Sequence, residues 1–155
     1  MIQNKVVILG VGNLILKDEG VGIHIIKEMK NKKLPAGVAA LDAGTAALDL
    51  LSVICESEKI IVIDALRSGG EPGTVYRCLP EELVDTDKES LSLHEIDLLD
   101  VLLMARQLGG HACVVIIGVE PKEIEYGLEL TPKVKAAVPR VIQAVFEELR
   151  EMGYA

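Results

Sequence analysis

Four short apolar runs recur along the chain: KVVILG (5–10), VAALDAG (38–44), KIIVIDAL (59–66) and ACVVIIGVE (112–120). Each is nearly continuous in apolar residues. A strand buried on both faces reads that way, because helices cover both sides of a parallel sheet. The segments between the runs carry helical spacing. In GVGIHIIKEMKNKK (20–33), Val21, Ile25, Ile26 and Met29 fall on one side. TAALDLLSVIC (45–55) follows, with Thr45 at the N-cap position. LHEIDLLDVLLMARQL (93–108) ends at Gly109 and Gly110, and Thr131 with Pro132 opens a last helix. Pro139 inside that helix is expected to kink or split it. TVYRCL (74–79) reads as an edge strand, and PEELVDTDKESLS (80–92) as a polar excursion with a short helical turn. The alternation predicts one domain over 1–155. It is a three-layer α/β/α fold with a mostly parallel central sheet of about five strands.

Composition narrows the function classes. With one Phe, three Tyr and no Trp, the core is built from Val, Ile, Leu and Ala. A net charge of -8 argues against the basic footprint of a nucleic-acid binder. No segment reaches the roughly 20 apolar residues of a membrane helix, and the N-terminus lacks a secretory h-region. A cytoplasmic protein is expected. Cys55, Cys78 and Cys113 are far apart and lie in apolar runs, so they read as reduced core thiols rather than a disulfide or zinc framework.

Glycines between the first strand and the first helix, in GVGNLILKDEGVG (10–22), suggest a phosphate cradle. The detail does not fit. A dinucleotide loop is G-x-G-x-x-G, whereas Ile15 occupies the third glycine position. The Gly-Lys-Ser/Thr ending of a P-loop is missing too, as are a G-x-S-x-G elbow and an H-E-x-x-H helix. What the loop carries instead is acid. Glu19 follows the first strand, Asp42 ends the second and Asp64 ends the third. The carboxyl ends of the strands form the ligand crevice of an open α/β sheet. Carboxylates gathered there repel one another unless a cation, a proton or a basic group compensates. His94 lies in the first turn of its helix, where Ser92 and Glu95 have capping-box spacing. His24 and His111 read as surface residues, and Asp18 as a helix cap beside Glu19. Carboxylates with a neutral imidazole suit nickel or zinc, and the residue types do not choose between them.

The ordered set resembles the NiFe hydrogenase maturation endopeptidases. GVGNLILKDEGVG matches the N-terminal signature of that family, LDAGTAALDLL its second motif, VIDAL its third and SLHEIDLLDVL its histidine motif. IIGVEPKEIEYGLELTP (116–132) is also similar. The resemblance implies Glu19, Asp64 and His94 as metal-binding residues and Asp42 as a functional acidic position, read as the catalytic residue that orients or deprotonates a water. It implies an aspartic-type or metal-dependent endopeptidase. The partner is a NiFe hydrogenase large-subunit precursor, from which it removes a C-terminal extension once nickel is inserted. The nickel is supplied by that substrate, no organic cofactor is needed, and the enzyme is a monomer or weak oligomer. A precursor-binding metal sensor that does not cut would use the same residues. A nucleotide-binding Rossmann-like domain is the more distant alternative.

Overall fold

The computed structural model of the chain describes residues 5–44, 50–84 and 93–154, with the side chains of 44, 84 and 93–97 outside that description. Strand β1 (Val6–Val11) leads through a 3-10 turn (Lys17–Gly20) into helix α1 (Val21–Met29). Then come β2 (Val38–Gly44), α2 (Leu51–Glu56), β3 (Lys59–Ala65) and β4 (Val75–Cys78). The chain continues through α3 (Pro80–Val84), α4 (Leu93–Gln107), β5 (Cys113–Val119) and α5 (Pro132–Glu151). The five strands form one sheet in the order β2-β1-β3-β5-β4. Four strands run parallel, and β4 pairs antiparallel at the edge.

Alternation along the strands builds two cores. Val6 and Ile8, Ile61 and Ile63, and Val115 and Ile117 face α1 and α5. Val7 and Leu9, Ile60 and Val62, and Ile116 face α2, α3 and α4. Both faces are therefore apolar, as the continuous runs require. Helix α5 closes the first core with Val134, Val138, Val141, Val145 and Leu149. The predicted three-layer sheet and its five strands are all present.

Some local expectations change. Helix α1 ends at Met29, so Lys32 and Lys33 lie beyond it. Helix α5 runs unbroken from Pro132 to Glu151 through Pro139. Pro139 is on the exposed side, where water can satisfy the carbonyl it leaves unbonded, while the buried valines before and after it pack into the first core, so the helix is not split. The helical turn expected in 80–92 is α3, and 85–92 lies outside the described residues. So do Thr45 and Ser92 with their capping roles. The cysteines form no disulfide; Cys78 is buried, Cys55 is half-buried and Cys113 is exposed at the start of β5. Among the described residues no helix is long and apolar enough to cross a membrane.

Two features of this packing give measurable expectations. A Cβ on Gly22 would run into the carbonyl oxygen of Ile63, and would lie 2.6 Å and 2.9 Å from the Val11 oxygen and nitrogen. These are backbone atoms that cannot rotate away. Gly22→Ala should cost about 2–3 kcal/mol in urea unfolding. Gly69→Ala, at φ +87° with open space around it, should cost about 1 kcal/mol.

The second feature is buried Glu148 on α5, which receives Arg77 of β4 and, at 3.1 Å, Lys59 of β3. The Arg77 hydrogen bond, aided by Lys59, holds its carboxyl below the usual 4.5 against the opposing effect of burial. A depressed carboxylate stabilises fully above its unfolded value, and that contribution fades as pH falls through the folded value. Glu148→Gln should therefore cost roughly 1–3 kcal/mol at pH 7, and the gap to wild type should narrow at pH 3.

Candidate active site at the strand ends

The strand order reverses between β1 and β3, because β1 is followed in space by β2 on one side and β3 on the other. A crevice opens at such a switch point, outside the carboxyl ends of the strands. Glu19 comes from the loop after β1 and Asp64 from the end of β3, so both reach this crevice from adjacent strands. The loop turns back sharply at Gly12, whose φ is +138°. The Asn13 amide donates to the Glu19 carbonyl at 3.2 Å. A Cβ on Gly12 would overlap that carbonyl and lie 3.6 Å from Asp64 Oδ1. Glycine here lets the Glu19 segment close over the end of β3. Both carboxylate residues are buried, and Asp64 Oδ1 accepts the Ala65 amide at 2.8 Å.

Asp42 sits differently. It pairs with Gly10, one strand further out, and β1 separates it from β3. Two strand spacings amount to about 10 Å. Leu41 and Ala43 turn toward the α2–α4 core, so alternation sends Asp42 to the opposite face, and it is exposed. The register slips immediately afterwards: Gly10 pairs with Asp42, but Val11 pairs with Gly44. A bulge of this kind re-aims side chains at the end of a strand. The position of His94 is in the first turn of α4, four residues before Leu98, and its side chain lies outside the described residues. Leu98 itself lines a small cavity with Asp64, Leu66 and Leu83. Among the described residues no three His, Cys, Asp or Glu side chains form a metal-binding set.

Two further carboxylates build the rim. Asp18 is not a helix cap. It is fully buried and reaches across to the segment between β5 and α5. Its Oδ2 accepts the amides of Lys122 at 2.8 Å and Glu123 at 3.0 Å and the Thr131 hydroxyl at 2.7 Å, and its Oδ1 accepts the Thr131 amide at 2.8 Å. Thr131 does precede α5, but its hydroxyl serves Asp18 rather than the helix. Next to it Lys17 is held at φ +45°, a left-handed conformation that a lysine rarely adopts. Its ammonium bonds Glu123 at 2.7 Å and Glu125 at 3.0 Å, and these bonds, Glu123 first, raise its pKa to about 12.

Glu120, at the end of β5, does the same for the loop after β3. It accepts the amides of Ser68 at 2.8 Å and Gly70 at 3.0 Å and the Tyr76 hydroxyl at 2.8 Å. Burial and this bond raise the Tyr76 pKa. Glu120 carries the same signal as Asp64, an acid closing an apolar strand, yet its role is to organise backbone. His24 also departs from expectation. It is half-buried, its Nε2 is enclosed without a hydrogen-bond partner among the described residues, and burial with nearby Lys27 lowers its pKa. His111 is exposed as expected.

An open, doubly wound sheet with buried acids rather than phosphate-binding glycines at its switch point defines the class: a single-domain α/β protein with an acidic crevice. Comparison with known proteins carries this further. Residues 23–148 match the family model described as hydrogenase maturation protease. The chain is 34% identical over 152 residues to the hydrogenase 2 maturation protease of Escherichia coli K12, covering 96% of this chain and 93% of that protein. Its fold superposes on the structure of the hydrogenase maturating endopeptidase HybD from E. coli with a TM-score of 0.88 at 31% identity, covering 96% and 94% of the two chains. It also resembles the [NiFe] hydrogenase maturation protease HybD from Thermococcus kodakarensis, with a TM-score of 0.76, 30% identity and coverage of 92% and 97%. The chain belongs to the hydrogenase maturation protease family, and it is a hydrolase of that kind.

The Asp18 network is directly testable. Asp18→Ala strands four donors and should cost about 3 kcal/mol or more. Asp18→Asn should recover less than half of that, since its amide group faces donors. Hydrogen exchange should quicken at the amides of Lys122, Glu123 and Thr131 in both variants. Unchanged protection there would remove the network from any structural role.

Proposed function

We propose that the protein is the endopeptidase that removes the C-terminal extension of a nickel-loaded NiFe hydrogenase large-subunit precursor. One observation supports the reading above the others: Glu19 and Asp64 enter one crevice from adjacent strands at the switch point, and α4, with His94 in its first turn, lends Leu98 to a small cavity that Asp64 also lines. A pair of buried carboxylates with an imidazole donor suits a divalent transition ion. That ion belongs to the substrate. Bound there, it supplies positive charge beside the scissile peptide.

The residues of the chain divide the remaining work. Glu19, Asp64 and His94 bind the nickel-bearing end of the precursor and fix the register of the peptide against the rim. Asp42 stands about 10 Å from β3, across β1. At that separation it is outside the ligand set, and the role assigned to it is to take a proton from the attacking water. The bulge after Asp42 gives the strand end the freedom to turn its carboxylate toward the crevice. Gly12 lets the Glu19 segment close over the end of β3, and Gly22 lets α1 pack against the ends of β1 and β3, so both hold Glu19 at the crevice.

The test is cleavage of the cognate precursor followed by intact-mass spectrometry. Nickel-loaded precursor should lose a C-terminal fragment, and nickel-free precursor should stay whole. Glu19→Ala, Asp64→Ala and His94→Ala should each abolish processing by abolishing recognition of the nickel-loaded form. Asp42→Asn should still bind that form and lose about 10²- to 10⁴-fold in rate. Equal cutting of both precursor forms would remove nickel recognition, and no mass loss from the loaded form would remove the peptidase assignment.

A further inference from the structure

We infer that the outer edge of β2 is the binding site for the C-terminal extension of the precursor, which pairs with it as an added antiparallel strand. The inference rests on the peptidase reading and adds to it how the segment to be removed is held. β2 ends the sheet on one side, and among the described residues its only strand partner is β1. The ladder between them sets the direction of its backbone groups. The Val6 amide donates to the Gly37 carbonyl at 3.1 Å. In a parallel ladder that pattern repeats every second residue. Ala39 and Leu41 therefore turn their amides and carbonyls toward β1, while Ala40 and the Asp42 amide face outward. The Val38 amide also faces outward and is taken by the Pro35 carbonyl at 3.2 Å. Among the described residues no such partner meets Ala40 or the Asp42 amide.

Open edges are normally blunted, because they recruit other chains. The opposite edge of this sheet is blunted: β4 has four residues, Arg77 among them is exposed, and Pro80 stands two residues beyond its end. β2 has seven residues, VAALDAG, with no proline or lysine and a single charge, Asp42, near its end. Ala39 and Ala40 are too small to screen the backbone. A row of donors and acceptors at strand spacing matches one kind of ligand, an extended polypeptide.

The acid at the end of this edge selects which polypeptide. Asp42 is exposed, and β1 lies between it and β3. A chain whose nickel-bearing end is bound by Glu19 and Asp64 reaches Asp42 by crossing the carboxyl end of β1. Continuing along the edge of β2, it runs from Asp42 toward Val38, antiparallel to the strand. The peptide bond beside Asp42 is then the one cut, and the residues beyond it are the extension. Ala40 exchanges two hydrogen bonds with one residue of the added strand, and the Asp42 amide donates to the carbonyl of the residue two before it.

The test uses the full-length protein and purified, nickel-loaded precursor. The Asp42→Asn variant, which holds the precursor without rapid cutting, is mixed with it, and hydrogen exchange is read at single amides. Exchange should slow about tenfold or more at Ala40 and at position 42, with a smaller change at Ala39 and Leu41, which already bond β1. In the wild-type background, Ala40→Pro removes the outward amide and leaves the ladder to β1 in place. Its kcat/KM for the precursor should fall about tenfold or more. Proline placed singly along the extension should slow processing at every second position, because only alternate amides face β2. Thermal melts confirm that Ala40→Pro is folded; if it is not, the exchange measurement and the proline series carry the test. The exchange arm needs no turnover, so bound precursor that is never cut would remove the peptidase reading and leave the edge standing. With precursor bound, no slowing along β2, or slowing at Val75–Cys78 of β4 instead, would overturn the proposal. A folded Ala40→Pro that processes the precursor at the wild-type rate would do the same. Slowing at Ala40 that appears without precursor and grows with protein concentration would assign the edge to a second copy of the chain and overturn it as well.

Discussion

The carboxylate of Asp18 is the interaction on which the rim depends. It is wholly buried, a costly place for a charge, and it is held there by four donors. Charge-assisted hydrogen bonds contribute about 1.5–3 kcal/mol each, enough together to offset desolvation. Nothing apolar of the same size could replace it, because the amides of Lys122, Glu123 and Thr131 would then lose their acceptor. The bonds join residues more than 100 positions apart and close the gap between the first loop and the approach to α5. The position of Glu19, one residue on, follows from this anchor. So does the strained backbone at Lys17, which survives because its surroundings over-determine it.

A second anchor, Glu120, fixes the loop beyond β3 through Ser68, Gly70 and Tyr76. The two buried acids thus brace the crevice from either side, and neither is among the residues proposed to meet the substrate. Sequence reading could find acids at strand ends because the pattern is local: an apolar run, then a carboxylate. It could not sort them by role. Asp64 and Glu120 end their strands in the same way, and what separates them is which backbone amides lie within 3 Å. That is a property of the loops, which the periodicity of the runs does not encode.

The fold was legible for a plain reason. β-branched runs buried on both faces leave few alternatives to a parallel sheet between helices, and the observed sheet has the five strands expected. The misreadings share a different cause. Pro139 is expected to kink or split α5; the helix is not split, because packing on either side of it outweighs local propensity. Thr131 marked the right boundary while its hydroxyl answered a distant partner. Cys113 looked like core because its run is apolar, yet it is the first residue of β5 and lies exposed at the sheet's opposite end. Each case sets a local rule against a contact the chain makes only after folding.

Bracing by non-reacting acids has a consequence for how such a crevice can work. A site that binds a charged, metal-bearing chain end gains most when its carboxylates are placed before the substrate arrives, because reorganisation is then avoided at binding. The backbones of Glu19 and Asp64 meet that condition: one is fixed through the neighbouring Asp18 and the Asn13 amide, the other by the sheet itself, where Asp64 Oδ1 also accepts the Ala65 amide. His94 belongs to another element, the first turn of α4. On the proposed assignment the two carboxylates form a preset half that gathers positive charge, and the histidine completes the set from outside it. Such a division gives selectivity: a precursor lacking its ion offers the carboxylates nothing to neutralise, and like-charge repulsion disfavours closing around it.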